Sequence, residues 1–376
     1  DLLLGNHLWA NAKALVFAGV YFDGEEAERW LAKGLQLVER ELAEQVLPDG
    51  GHFELSPMYH AIFLEDLLDL FNLHAVFPNR IPAEVARNIG DKAAEMLWWL
   101  RMLTHPDGRP AQFNDCALDG ASLVQELAGL AERLGVRGTV CGTAKPVLFV
   151  SSGYARLEKG PAVLLADVGR AGPDYMPGHA HADALSFELS LWGKRLFING
   201  GISTYDVSPT RLRERSTSAH NTVTVDGRNS SEIWSSFRLG RRIESVSAEM
   251  SETKGEIMLE GEFEGFHRAC RRNVHRRVWK LGRQRLEVSD EVTGPFRSCE
   301  ARLGLAPGWS VTLTDFGCQI RSGGRDKVVR LEWDAASAVR VENDTWSRNF
   351  GESIPIEVIR VSLRNGVGRV VLSWSD

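Results

Sequence analysis

No run of apolar residues in this 376-residue chain reaches the roughly 18–20 that a membrane-spanning helix needs. The longest apolar stretches are interrupted by charged or polar side chains, which excludes a helical membrane protein. Cysteine is scarce, with Cys116, Cys141, Cys270, Cys299 and Cys318 spread widely. An odd count without CxxC spacing excludes a disulfide framework and a zinc ribbon, and leaves at least one thiol free. Positive charge is not in excess, because Lys+Arg number 44 against Asp+Glu 50, a formal net charge of -6. No global field therefore draws in polyanions such as nucleic acid, and an acidic substrate must be held by local arginines. There is no glycine-rich phosphate loop, so no nucleotide or redox cofactor is expected. Internal repeats and low-complexity segments are missing too. Asp1 opens the chain without Met, basic region or leader core, and the expectation is that more of the protein stands upstream.

What is present is ordinary globular composition, 43% hydrophobic and 25% charged, at a length that fits about two domains. The first third has helical spacing and turn residues between its segments. Helices are expected at Ala12–Tyr21, Glu25–Val46, Pro57–Leu73, Ile81–Leu103 and Ala121–Leu134. In Glu25–Val46 the apolar positions are Trp30, Leu31, Leu35, Val38, Leu42 and Val46. Near residue 140 the pattern changes to short β-rich runs bounded by Gly, Asp or Asn, from Val147–Val150 through Leu185–Leu191 and Asn221–Val225 to Arg369–Trp374. Such strands without intervening helices predict an antiparallel β-sandwich. The boundary is expected at about 136–146, dividing the chain into 1–140 and 141–376.

Four polar clusters lie in loops beside apolar segments. Gly5-Asn6-His7 precedes a helix, where Asn6 also suits an N-cap. Asp49 to His60 crowds His52, Glu54, Tyr59 and His60 around a helix start marked by Ser56-Pro57. In His179-Ala180-His181-Ala182-Asp183 the two histidines fall at i and i+2, which on extended chain point the same way. Arg211, Arg213 and Arg215 precede Ser216 to Gly227, which holds His220 and an Asp-Gly turn. These arginines suit bidentate carboxylate binding or a solvated loop.

Together these segments resemble the heparinase II/III-like polysaccharide lyases. The match lies in HAHADALSFELSLWGKRLFINGG (His179–Gly201), RSTSAHNTVTVDG (Arg215–Gly227), GNHLWANAKAL and DGGHFELSPMYH. The resemblance implies an α+β multidomain protein, a partial (α/α) toroid followed by an antiparallel β-sandwich domain. It implies cleavage of an acidic, uronic-acid-containing polysaccharide by β-elimination, in the periplasm or outside the cell. Asn6, with His7, resembles the group that neutralises the substrate carboxylate. Tyr59 resembles the general acid/base, and His179 the second catalytic group. Glu54, His60, Arg213, Arg215 and Trp234 are then candidates for substrate binding. For Trp9, Trp192 and Trp234, core packing competes with sugar stacking. His181 and His220 resemble ligands of one structural divalent metal, zinc in relatives. Asn199 stands where those relatives have an Asp, and a neutral carbonyl oxygen is a weaker zinc ligand than a carboxylate. Asp183 is the alternative. Two other functions suit a similar fold. One is a glycoside hydrolase using Glu54 and Asp183. The other is a non-catalytic carbohydrate-binding or exopolysaccharide-assembly protein.

Overall fold

The computed structural model describes residues 4–136, 146–253, 255–268, 271–315, 317–323, 327–334 and 338–375. Five helices come first: α1 Asn6–Tyr21, α2 Glu25–Gln45, α3 Pro57–Val76, α4 Ala83–Met102 and α5 Val124–Arg133. No helix among the described residues is long and apolar enough to cross a membrane. The α2 stripe buries Leu31, Leu37, Val38 and Leu42, and leaves Trp30 and Leu35 only half-buried. It also buries Glu41 and Gln45, which an apolar pattern does not select. Gln45 donates to Gly5 O at 3.1 Å and bonds His52 Nε2 at 3.1 Å, so it joins the start of α1 to the loop before α3. Gly34 lets the first two helices close up, since a Cβ there would sit 2.8 Å from Val16 N.

The strands follow: β1 Val147–Phe149, β2 Tyr154–Lys159, β3 Ala162–Asp167, β4 Phe187–Leu191 and β5 Lys194–Phe197. Then come a short helix, α6 Pro209–Glu214, with β6 Val223–Val225, β7 Ile233–Ser235 and β8 Arg238–Leu239. The rest are β9 Val246–Glu252, β10 Glu256–Arg268, β11 Arg271–Gly282, β12 Arg285–Thr293, β13 Cys299–Gly304, β14 Trp309–Thr314, β15 Gly317–Ser322, β16 Val328–Trp333, β17 Val339–Trp346, β18 Ile354–Ser362 and β19 Val367–Trp374. Strands β1 to β5 pair in sequence order as one antiparallel sheet. The order β14-β15-β16-β19-β12-β11-β10-β9 makes the largest sheet, β17-β18-β13-β6 a third, and β7-β8 a hairpin.

The β1–β5 sheet lies between two cores. Val163 and Leu165 pack with the helices, while Ala162, Leu164 and Ala166 pack with the other sheets. Burial on both faces explains why β3 is apolar without alternation from Ala162 to Ala166. In β11 the inward positions are Asn273, His275, Arg277, Trp279 and Leu281. Arg277 is buried there because its guanidinium binds Asp290 at 2.7 and 3.0 Å and donates to Leu185 O and Asn221 O, each at 2.7 Å. It thereby braces the ends of the two motif-bearing segments, one of which turns at Leu185 with φ 57.

Several expectations need correction. The fifth helix starts at Val124, three residues later than expected, and α6, β2, β7, β8, β13, β15 and β17 were not anticipated. The expected boundary at 136–146 lies, apart from its end residues, outside the described residues. Cys116, Cys299 and Cys318 are free and buried; Cys141 and Cys270 also lie outside the described residues.

Candidate active site

Ser56 begins the site. Its hydroxyl accepts from Tyr59 N–H at 3.2 Å, capping α3 with Pro57 in the first turn. The same hydroxyl donates to Asp115 O at 2.5 Å. Tyr59 is thus held in the first helical turn, beside the loop that carries Asn114 and Asp115.

Asn114 takes the left-handed conformation, φ 55, which Asn tolerates better than most residues. Its amide donates to Leu55 O at 2.9 Å and to Tyr154 Oη at 3.0 Å, and its carbonyl accepts from His181 N–H at 2.8 Å. Tyr154 in turn donates to Leu55 O at 2.6 Å.

Asp115 is fully buried and receives three side chains. His179 Nδ1 lies 2.9 Å from Oδ2, and His181 Nε2 lies 2.8 Å from Oδ1. Arg211 grips both oxygens, at 2.5 and 2.7 Å. Burial alone would raise this carboxyl. Hydrogen bonds from His179 and His181, with the charge of Arg211, reverse that and hold it well below the ordinary carboxylate range. The His-x-His segment is a loop rather than the expected strand, yet both rings do turn to one side and meet the same carboxylate.

The Tyr59 and His179 rings are in contact, with centroids 3.9 Å apart and planes inclined by 31°. Tyr59 Oη is 3.2 Å from Tyr205 Oη. Burial pushes the Tyr59 phenol up to about 12, and the Asp115 and Glu54 charges act in the same direction. His179 Nε2, the nitrogen facing away from Asp115, lies 3.7 Å from Glu54 Oε2. Glu54 is buried; Oε1 accepts from Asn6 N–H at 3.2 Å, and Oε2 has no hydrogen-bond partner. Burial raises its carboxyl above the usual range. Asn6 is the first residue of α1, half-buried, and His7 beside it is exposed.

A second constellation lies behind the first. His220 Nδ1 faces Ser216 O at 2.8 Å and must carry the proton, since a carbonyl only accepts. His181 carries its proton on Nε2, toward Asp115. The remaining nitrogens, His181 Nδ1 and His220 Nε2, face each other at 3.2 Å. Burial lowers both imidazoles to about 4, so both are neutral at pH 7. Two lone pairs then converge with no proton between them, which suits a cation. The spacing is close to the roughly 3.3 Å expected for two imidazoles on a tetrahedral zinc ion. Asp183 completes the group, with ligand atoms of all three residues within 4.8 Å of one another. Asp115 behind His181 is the kind of carboxylate that orients a metal-binding imidazole. Asn199 is buried nearby, and its carbonyl oxygen accepts from Asn221 N–H at 2.9 Å.

Other candidates sit differently from expectation. His60 is not at the surface. Its Nδ1 accepts from His52 N–H at 3.2 Å, its Nε2 bonds Met96 O at 2.9 Å, and its ring stacks on Trp99. Arg215 is buried and spends its guanidinium on Ala180 O and Ser235 O. Arg213 pairs with Asp344 at 2.8 Å. Neither arginine is an uncommitted carboxylate clamp. Trp234 is 67% exposed on the β7–β8 hairpin, whereas Trp9 packs in the helical core. Asp115, Arg211 and Tyr205 were missed as site residues. Arg211 carried a signal in its arginine cluster, but Asp115 and Tyr205 stand in loops without a pattern.

Two measurements test these assignments. Asp115→Ala leaves Arg211 buried and unpaired, and should cost about 3–5 kcal/mol of stability; an unchanged urea midpoint would refute the network. Burial lowers His60 to about 3, against 6.5 when exposed. Its contribution is therefore whole above pH 6.5 and shrinks as pH falls toward 3. His60→Gln should lose stability less steeply than the parent between pH 6.5 and about 4.

The chain matches two family models, "Heparinase II/III N-terminus" over residues 3–133 and "Heparinase II/III-like, C-terminal" over residues 142–375. It is 28% identical over 247 residues to a heparin-sulfate lyase of Bacteroides stercoris, which covers 60% of this chain and 36% of that protein. It is 28% identical over 253 residues to a heparin-sulfate lyase of Pedobacter heparinus, with the same coverage. The chain therefore spans little more than a third of the length of these curated relatives. A crystal structure of heparinase III superposes with a TM-score of 0.79 at 19% identity, covering 99% of this chain and 61% of that one. The helices followed by mostly antiparallel sheets thus share the fold of that structure, and the chain belongs to the heparinase II/III-like family.

Proposed function

We propose that this chain is the catalytic part of a polysaccharide lyase that cleaves a uronic-acid-containing polymer by β-elimination. The contact between Tyr59 and His179 carries the reading, since it joins a group able to give a proton to one able to take it. The names of the curated relatives, heparin-sulfate lyases, support it. On this reading the helices are the closing part of an (α/α) toroid, residues 1–140. The sheets form a β-sandwich domain, residues 141–376. The enzyme works in the periplasm or outside the cell.

The reaction removes the proton alpha to the uronate carboxyl. The electron pair forms a double bond to the neighbouring ring carbon, and that carbon releases the 4-linked oxygen. His179 is the better base. Its Nδ1 proton points at the ionised Asp115, so Nε2 presents a lone pair, and Asp115 stabilises the imidazolium that forms. Tyr59, raised to about 12, stays a phenol at neutral pH and suits protonation of the leaving oxygen. Asn6, with His7, meets the substrate carboxylate at the start of α1, where the helix dipole favours negative charge. A raised Glu54 is more readily neutral, which eases the approach of a second carboxylate. His181 and His220, with Asp183 as the oxygen donor in place of Asn199, would hold one divalent metal. Such a metal would tie the His179 loop to the segment before β6 and supply no step of the reaction.

A glycoside hydrolase is disfavoured. Asp183, one of its two required carboxylates, is buried with Oδ2 accepting from Asn114 N–H.

A panel of polyuronates followed by ultraviolet absorbance of the unsaturated product tests the proposal. A rise is expected with at least one member. Tyr59→Phe and His179→Ala should each lower kcat by a factor on the order of 10² or more while the fold persists; full turnover in both variants would refute the roles. Elemental analysis should find at most one divalent metal per chain, lost in His220→Ala. Active protein free of metal would remove that part of the proposal alone.

A further inference from the structure

Trp234 is out of place for its type. Tryptophan is highly buried on average, yet this one is 67% exposed and joins none of the hydrophobic cores among the described residues. Exposure alone needs no explanation. What sets Trp234 apart is that its ring is already fixed. One side of the indole rests against the backbone of Gly240 across the β7–β8 hairpin, where an added Cβ would fall 2.5 Å from Cζ2. Its Nε1 donates to Glu232 at 3.3 Å. Glu232 is itself held by Arg241, whose Nε lies 2.8 Å away. The opposite side of the indole is left to solvent.

The hairpin that presents this ring is anchored beside the reactive pair. Its carbonyls at Ser235 and Ser236 accept from Arg215 and Arg211. Gly240 N–H bonds Glu232 O at 2.8 Å, and Glu232 N–H bonds Arg241 O at 2.9 Å. Phe237, in the turn, stands 5.9 Å from the His179 ring. Trp234 is separated from it by at most about 11 Å of extended chain. A polymer that occupies the reactive pair and runs on along the hairpin meets the indole.

Charge beside the ring decides what it suits. Arg238 on β8 is exposed, and no acidic partner neutralises it among the described residues. The carboxylate at the indole, Glu232, is already paired with Arg241. An electron-rich indole favours the C–H face of a sugar. An exposed guanidinium suits a carboxylate, which it can grip with two N–H groups. A neutral polysaccharide would leave Arg238 idle, whereas a polyuronate uses both groups.

We propose that the β7–β8 hairpin carries a second sugar-binding subsite, distinct from the reactive pair, in which Trp234 takes the C–H face of a pyranose and Arg238 the carboxylate of a uronate in the same stretch of polymer. Only the identity of that polymer as the substrate rests on the lyase reading.

The probes are short and long oligosaccharides of alginate, pectate and heparan, each with its carboxyl-reduced form. They are titrated calorimetrically into Tyr59→Phe protein, which retains the hairpin. In at least one series the long member should bind more tightly than the disaccharide. Trp234→Ala should remove that gain, weakening the long member about three- to tenfold and leaving the disaccharide unchanged, and Trp234→Phe should keep most of it. Gly240→Ala, which only pushes the indole away, should act like Trp234→Ala. Arg238→Ala should weaken the long member about two- to fivefold at low salt and leave its carboxyl-reduced form unchanged. In the active chain the alanine variants should raise KM more than they lower kcat. Long members that bind Trp234→Ala as tightly as the parent overturn the proposal, and so does binding to none of the probes. An Arg238→Ala loss that persists on the carboxyl-reduced form overturns the role of Arg238. A parent that sediments as a dimer, with Trp234→Ala a monomer, gives the indole to a second copy of the chain and overturns the subsite. Binding that depends on Trp234, without cleavage of any polymer by the parent, would instead sink the lyase reading and leave the subsite standing.

Discussion

One buried carboxylate organises this molecule. Asp115 collects His179, His181 and Arg211 from segments distant in the chain, and its backbone carbonyl accepts from the residue that caps the helix bearing Tyr59. A lone buried carboxylate would be expelled or protonated. This one remains ionised because the donors around it outweigh burial. Each of its partners then acquires a role from the shared anion. The anion orients the His179 ring and sets the tautomer of His181. Arg211, held by it, reaches on to the β7–β8 hairpin.

The two histidines of the His-x-His motif consequently divide the labour. His179 keeps a free nitrogen toward Glu54 with its ring against Tyr59, while His181 turns its free nitrogen inward toward His220. The same acid serves both rings through different oxygens. The Tyr59–His179 pair and the His181–His220 pair are therefore linked through one side chain.

Much of this was legible in the sequence, and the failures have physical causes. Helical spacing and turn residues located the five long helices, because amphipathic periodicity survives without tertiary information. Motif segments brought Asn6, Tyr59, His179, His181 and His220 to attention, and the structure gathers Tyr59 with His179, and His181 with His220. His60 and Arg215 stood as candidates for substrate binding. Burial with complete hydrogen bonding, which made them internal, is a property of their neighbours rather than of their spacing. Asp115 and Tyr205 escaped for the opposite reason. A loop residue acquires its chemistry from segments that meet it only after folding. In β11 the inward face carries His275 and Arg277, so a hydropathy rule would have chosen the wrong side. β13 alternates apolar and polar residues and was passed over despite that pattern, whereas in β17 the face opposite Arg340, Glu342 and Asp344 runs from Val339 and Val341 to the polar Asn343 and Thr345.

The phenol of Tyr154 has a consequence of its own. It belongs to the sheet that both cores share, donates to Leu55 O and accepts from Asn114. Leu55 lies just before the Tyr59 helix, and Asn114 just before Asp115. A single hydroxyl thus rivets the helical side of the cleft to the loop that aims His179. The contact between Tyr59 and His179 is thus set by the fold itself rather than by anything that binds there.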